Sequence, residues 1–167
     1  LEKNSRMARQ ESDREDLLRE ATALVQRAEF QLPGEAEPFV AGFRRDGSFS
    51  LYSGGDQVVQ FNTAGQLRRG YFDGQLLKAD KGRLVWLTRE RTTDAVILHS
   101  RELTAVEVAQ TLERSTQLIA RFCAALSSGA FTLTGQVPPE ENIVPRILAW
   151  QAALPMPLQI APAPHAR

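Results

Sequence analysis

Residues 68–91, RRGYFDGQLLKADKGRLVWLTRER, contain three apolar runs separated by two short turn sequences. The first turn is Asp73-Gly74, a pair that tolerates the positive φ of a type I′ turn and therefore favours a tight β-hairpin. The second turn is Asp80-Lys81-Gly82. Two hairpins so close together leave no room for a crossover helix. The three runs are therefore expected to pair with their sequence neighbours as an antiparallel meander.

The same pattern extends in both directions and predicts about seven strands between residues 38 and 103. Gly70 inside one of these runs predicts a bulge or a close backbone approach. The meander is expected to form either an open barrel or a single bent sheet. The predicted strands are Phe39–Arg45, Ser48–Tyr52, Gln57–Phe61, Gln66–Phe72, Gln75–Ala79, Arg83–Glu90 and Ala95–Leu103.

Helical patterns flank the meander and make the predicted fold class α+β. The longest helix, over residues 104–128, opens with the capping box Thr104–Glu107 and carries an apolar stripe, so it is expected to cover one face of the sheet. Gly129 is placed to end it. The remaining predicted elements are an N-terminal helix over about residues 13–30, a short strand at Phe131–Thr134 and a modest helix around Pro145–Leu154, which together fill residues 131–154.

Length and composition predict one domain over residues 1–154 and a proline-rich tail over residues 155–167, extended or disordered unless a partner orders it. Hydrophobic residues make up 43% of the chain and charged residues 24%, and the formal net charge is zero, so no global field draws it to nucleic acid or membrane. No apolar run approaches the ~20 residues of a membrane span. The chain begins at Leu1 instead of a methionine, so a cytoplasmic location is only the default expectation and an upstream targeting segment stays open.

Patterns that carry catalytic or metal-binding chemistry are missing from the sequence. Neither His99 nor His165 has a second ligand at metal spacing, and there is no Cys-x-x-Cys pair. Cys123 falls in an apolar helical stripe, where a free cysteine packs as a small hydrophobic residue. We therefore predict no catalytic residue, no metal ligand and no cofactor, and enzymatic activity is unsupported.

Basic side chains alternate with aromatic ones on the fourth to sixth predicted strands. Such interleaving on a sheet is typical of proteins that bind RNA or phosphate-bearing molecules. Alternating arginines also keep exposed strands soluble and prevent pairing between sheet edges, so both interpretations stay open. The candidate ligand-binding residues are Arg68, Arg69, Tyr71, Phe72, Lys78 and Arg83.

Two resemblances add to this interpretation. The order of elements over residues 38–128, seven meandering strands and then a long amphipathic helix, resembles the pleckstrin-homology-like topology. That resemblance implies a partly open barrel plugged at one end by the helix, in a superfold that hosts protein, peptide and phosphoinositide binding. The stretch Val59–Gly74, VQFNTAGQLRRGYFDG, resembles a family of uncharacterised bacterial proteins to which no activity is attached.

Together these features predict a non-catalytic binding or protein-interaction module, with binding of an anionic ligand as the alternative. Self-association is a further expectation, because a meander has only two faces and the long helix covers one of them. The terminal apolar segments then either cover the second face or contact another copy of the chain. A two-fold homodimer with a terminal helix at the contact and a monomer that packs both helices internally are equally consistent with the sequence.

Overall fold

Nine strands of one open antiparallel sheet organise the fold. The structure is a computed structural model and describes residues 15–54 and 56–162. Within these residues the helices are residues 15–20 (α1), Ala105–Ser128 (α2) and Val144–Ala152 (α3), and a 3₁₀ turn spans Ala21–Ala23. The strands are Gln26–Gln31 (β1), Phe39–Phe43 (β2), Phe49–Ser53 (β3), Gln57–Phe61 (β4), Leu67–Phe72 (β5), Gln75–Asp80 (β6), Arg83–Arg91 (β7), Val96–Glu102 (β8) and Thr132–Val137 (β9).

Strands β2 to β8 confirm the predicted meander, since each is antiparallel to its sequence neighbours. The two hairpins of the opening stretch use the expected turn chemistry. Asp73 and Gly74 have φ values of 53° and 78°, and Lys81 and Gly82 have values of 55° and 80°. Positive φ at both central residues is what a type I′ turn requires. The result is an open sheet, and its strand count is higher than the seven predicted.

The predicted helix over residues 13–30 is wrong at its C-terminal end, because residues 26–31 form strand β1. Its first two residues lie outside the described part of the chain. In β1 Ala28 and Phe30 are 2% and 0% exposed, a period of two that belongs to a strand. Strand β1 pairs with β2 on one side and with β9 on the other. This pairing with distant segments outweighs the local helical propensity of the sequence.

Helix α2 carries the chain from one edge of the sheet to the other. The strand order is β8-β7-β6-β5-β4-β3-β2-β1-β9, so α2 leaves from β8 and delivers the chain to β9 at the opposite edge. Its 24 residues span about 36 Å, and eight strand spacings of ~4.8 Å cover about 38 Å. The capping box of Thr104 and Glu107 and the left-handed Gly129 delimit the helix as predicted.

The face of the sheet beneath α2 holds the larger core. Phe122 of α2 is 0% exposed, and its ring lies 5.1 Å from that of Phe30 and 5.7 Å from that of Phe39. Helix α3 closes the same face further along, where the ring of Trp150 stacks on that of Phe49 at 4.0 Å. Both helices therefore contribute to one continuous core against the sheet.

The second face of the sheet is covered in part by α1 and the turn that follows it. The residues of this smaller core are Leu17, Ala21, Leu24, Tyr52, Val58, Tyr71 and Leu76. Helices α1 and α3 therefore both pack against the sheet of their own chain.

The proline-rich segment after α3 packs against the sheet over its described residues 155–162. The amide of Leu67 donates to the carbonyl of Gln159 (2.7 Å), and the amide of Ala161 donates to the carbonyl of Leu67 (2.8 Å). Leu158 and Ala161 are each 4% exposed. The start of β5 therefore holds this segment by backbone hydrogen bonds, and the last five residues of the tail lie outside the described residues.

Candidate functional site

Strand β8 forms one edge of the sheet and is exposed along its whole length. Among the described residues it pairs only with β7, in an unbroken register. Three consecutive apolar side chains, Val96, Ile97 and Leu98, are 55%, 42% and 63% exposed. Because successive side chains in a strand point to opposite faces, this edge is apolar on both sides.

The backbone groups of β8 divide into two alternating sets. The amide of Leu103 donates to the carbonyl of Leu84 (2.9 Å), and the amide of Thr92 donates to the carbonyl of Ala95 (2.8 Å). These bonds place the backbone groups of the odd-numbered residues against β7, because hydrogen-bonding direction alternates along an antiparallel strand. The N–H and C=O groups of the even-numbered residues, 96 to 102, therefore point away from the sheet.

The opposite edge, strand β9, has features that hinder the addition of another strand. Its register with β1 shifts between Glu29 and Phe30, which marks a β-bulge. Gly135 lies inside the strand, and Pro138 and Pro139 follow its last residue. Bulges and prolines are devices by which natural sheets protect their edges. Strand β8 has an unbroken register and contains neither glycine nor proline, and its charged side chains are confined to residues 99–102. Within the described part of the chain, residues 96–98 therefore form an open edge, whereas β9 is protected.

The C-terminal end of β8 is held against the start of α2. Arg101 donates from both terminal nitrogens to the two carboxylate oxygens of Glu107, each at 3.1 Å. The same carboxylate accepts a bond from Trp86 Nε1 at 3.3 Å and one from the Thr104 amide at 2.9 Å. These donors, Arg101 first, lower the pKa of Glu107 to about 2. The contact fixes the edge strand relative to α2, so the open edge is preformed.

A cluster of three arginines, Arg44, Arg68 and Arg69, lies on the face of the sheet that α1 covers. Arg69 forms an ion pair with Glu20 of α1, and its Nε donates to Oε1 of Gln60 at 2.8 Å. The guanidinium of Arg44 lies 4.0 Å from the same Glu20 carboxylate. Arg68 is the extra residue at the point where the register between β4 and β5 shifts. One carboxylate therefore holds two of the three arginines.

Arg68 differs from its two neighbours because the described part of the chain gives it no hydrogen bond and no ion pair. The pKa of Arg68 is lowered, first by partial desolvation of its guanidinium and then by the positive charges of Arg44 and Arg69. Repulsion of this kind is relieved when an anion binds between the charges. The arginine cluster is therefore a second candidate site, for an anionic group.

The predicted ligand-binding residues lie in different surroundings. Lys78 is exposed and lies directly opposite Arg69 on the neighbouring strand, so it extends the arginine cluster. Arg83 instead forms an ion pair at 2.9 Å with a glutamate of β8. Tyr71 and Phe72 are 4% and 1% exposed and belong to separate cores on opposite faces of the sheet. Neither ring is accessible for stacking on a ligand in this structure.

Sequence reasoning missed Arg44, its partner Glu20 and the edge position of β8. Arg44 joins Arg68 only through the register of the intervening strands, which no local pattern reports. In the sequence Val96, Ile97 and Leu98 indicate a strand that is apolar on both faces, but nothing local marks that strand as the edge of the sheet.

Other surfaces of the molecule offer fewer unpaired or accessible functional groups. A cleft of about 570 Å³ lies beside α2, and its two arginines are paired, Arg121 with Glu35 at 3.0 Å and Arg114 with Asp73 at 2.8 Å. Cys123 is 1% exposed, and burial raises the pKa of its thiol to about 12. Within residues 15–54 and 56–162, no three His, Cys, Asp or Glu side chains are placed to hold a metal ion. No helix in these ranges combines the length and the apolar character needed to cross a membrane.

Comparisons of the chain with known protein families, with curated proteins and with solved structures found no match.

Proposed function

We propose that this chain is a non-catalytic interaction module that binds a polypeptide strand along the open edge of β8. The observation that carries the proposal is the contrast between the two edges of the sheet, one protected and one open. Outward-pointing N–H and C=O groups at an exposed edge are a template for another strand. Val96, Ile97 and Leu98 supply apolar contacts on both faces of that added strand.

Backbone and side-chain contacts contribute differently to such binding. Each backbone hydrogen bond contributes roughly 0.5–1.5 kcal/mol net and is nearly independent of the partner's sequence. Each cross-strand side-chain pair contributes roughly 0.2–1 kcal/mol and depends on the residues that meet. The edge therefore favours partners with β-branched, aromatic or large apolar side chains opposite residues 96–98.

A library of random octapeptides displayed on phage tests this function. Selection on the wild-type chain, with counter-selection on Leu98→Lys, should enrich apolar β-forming peptides, because a lysine on an edge strand opposes strand addition. Leu133→Lys on β9 is the matched control, since Leu133 is also an exposed edge residue and its replacement should leave peptide binding intact. Peptides that bind Leu98→Lys as tightly as wild type contradict the proposal, and so does a selection that enriches none.

Binding of an anionic group at the arginine cluster is a second candidate function, favoured by the absence of a partner for Arg68 among the described residues. A fluorescent ten-nucleotide poly(U) strand is a suitable probe, and its affinity should fall with salt with a log–log slope near −0.7 per phosphate neutralised. Arg68→Ala should weaken binding, whereas Arg121→Ala on helix α2 removes the same charge outside the cluster and should not. No binding at ~50 mM salt, or an equal loss for both variants, rejects this function.

A further inference from the structure

The residues along β8 also indicate which strand it accepts. We propose that a second copy of this chain adds its own β8 in antiparallel orientation, with Ile97 of each copy at the two-fold axis. This inference rests on the proposed function and names the partner of that same edge. The dimer joins the two sheets into one continuous sheet, which is an isologous contact.

Symmetry limits the registers that two identical edges can form. Residues that lie opposite each other in an antiparallel pair share a face of the sheet. A two-fold axis perpendicular to the sheet must therefore pass midway between one residue of β8 and the same residue of the second copy. The registers centred on Ile97, Leu98 and His99 overlap residues 96–98, 96–100 and 96–102 of the two β8 strands, respectively. They differ in which side chains meet.

The register centred on Ile97 matches apolar side chains with one another. Ile97 meets Ile97 of the second copy, and Val96 meets Leu98 of the second copy on the other face, twice by symmetry. Residues 92–95 form the turn before β8, so only residues 96–98 of each strand overlap and no carboxylates face each other. Cross-strand apolar pairs stabilise a sheet, whereas like charges directly opposite destabilise it.

The two other registers lose this match. With Leu98 on the axis, only Leu98 meets an apolar side chain, because Val96 lies opposite Ser100 and Ile97 lies opposite His99. With His99 on the axis, every apolar residue of the edge meets a polar or charged one, for example Val96 with Glu102. Side-chain complementarity along β8 therefore favours the axis at Ile97.

The outward-pointing backbone groups allow this register, as they allow the other two. The outward-pointing groups of Val96 meet those of Leu98 in the second copy, so these residues exchange backbone hydrogen bonds. Ile97 has its backbone groups turned towards β7, so its pair across the axis is a non-hydrogen-bonded pair, in which the two Cα atoms approach to ~4.5 Å. Among the described residues the other sheet edge, β9, is protected, so the assembly closes at two copies.

The seam is short, and it buries less than the ~1,200 Å² typical of stable complexes. We therefore expect a transient dimer with a dissociation constant in the micromolar range.

Single cysteines along β8 test both the dimer and its register. In Ile97→Cys the Cα atoms of the two cysteines lie within the ~4.4–6.8 Å separation that a disulfide requires. In Leu98→Cys the two cysteines lie across a diagonal of the strand pair, at ~7–8 Å or more. Under mild oxidation at ~100 μM, Ile97→Cys should form a covalent dimer of twice the 18.5 kDa chain mass at least ~10-fold faster than Leu98→Cys. The native Cys123 is buried and does not interfere.

The inference is overturned if Leu98→Cys or His99→Cys crosslinks as fast as Ile97→Cys, or if none of them crosslinks. Sedimentation velocity on the unmodified chain provides a second measurement, in which Leu98→Lys should abolish a concentration-dependent dimer and Leu133→Lys should not. A chain that stays monomeric to ~500 μM also overturns the inference, since the seam is expected to form in the micromolar range. If the phage selection still yields peptides that depend on Leu98, the proposed function stands without its self-pairing; if it yields none, both are wrong.

Discussion

Replacing Phe122 with alanine removes the centre of the contact between α2 and the sheet. The side chain is 0% exposed, and its ring makes an edge contact with Phe30 and a stacked contact with Phe39. Truncating a buried phenylalanine costs roughly 3–5 kcal/mol in free energy of unfolding. Each aromatic pair contributes roughly 0.5–1.5 kcal/mol beyond burial. The two pairs place this site in the upper half of the range, at about 4–5 kcal/mol.

Urea unfolding monitored by circular dichroism measures this loss. With a slope of about 2 kcal/mol per molar urea, the unfolding midpoint of Phe122→Ala should fall by about 2 M. Val106→Ala is the matched control on the same helix, because Val106 is 65% exposed and its truncation should change stability by less than about 0.5 kcal/mol. A loss below about 2 kcal/mol for Phe122→Ala, or similar losses for both variants, refutes the packing of α2 described above.

Three further predictions concern α2 and its cap. Thr104→Ala removes the side-chain acceptor of the capping box and should cost about 1 kcal/mol in unfolding free energy, measured by the same urea titration. Because the pKa of Glu107 is lowered to about 2 from 4.5, its stabilising contribution is present above pH 4.5 and is lost as the pH falls through about 2. The acid-unfolding profile of Glu107→Gln should lack this part of the pH dependence. Identical profiles for the wild type and the variant contradict the lowered pKa of Glu107. Cys123 should resist thiol reagents at pH 8 in the folded chain and react after unfolding.

The meander was predictable because its turns are decided locally. Asp73, Gly74 and Gly82 tolerate positive φ through a short polar side chain or the lack of one, so both turns are favoured locally. The capping box at Thr104 is equally local, and it marked the start of α2 correctly. Elements of this kind depend on residues within four positions of one another.

The elements that sequence reasoning missed depend on distant partners. Strand β1 forms because β2 and β9 flank it, and β9 lies more than 100 positions further along the chain. Likewise, the pattern at Val96–Leu98 indicates a strand but not an edge, because its edge position depends on where β9 is placed after α2. Arg44 follows β2 and reaches Arg68 of β5 only through the intervening strands β3 and β4, so only two of the three arginines, Arg68 and Arg69, were visible in the sequence.

Hydrogen exchange along β8 tests the central claim most directly, because the strand contains its own internal reference. Amides of the odd-numbered residues 97 to 101 already bond to β7, whereas amides of the even-numbered residues 96 to 102 point outward. When the chain is saturated with a peptide selected for binding to the wild type, NMR should show that exchange of the even-numbered amides slows by at least ~10-fold, because ladder hydrogen bonds protect amides from exchange. The odd-numbered amides should change little. Even-numbered amides that still exchange at their unprotected rates with the peptide bound would show that β8 does not accept a strand.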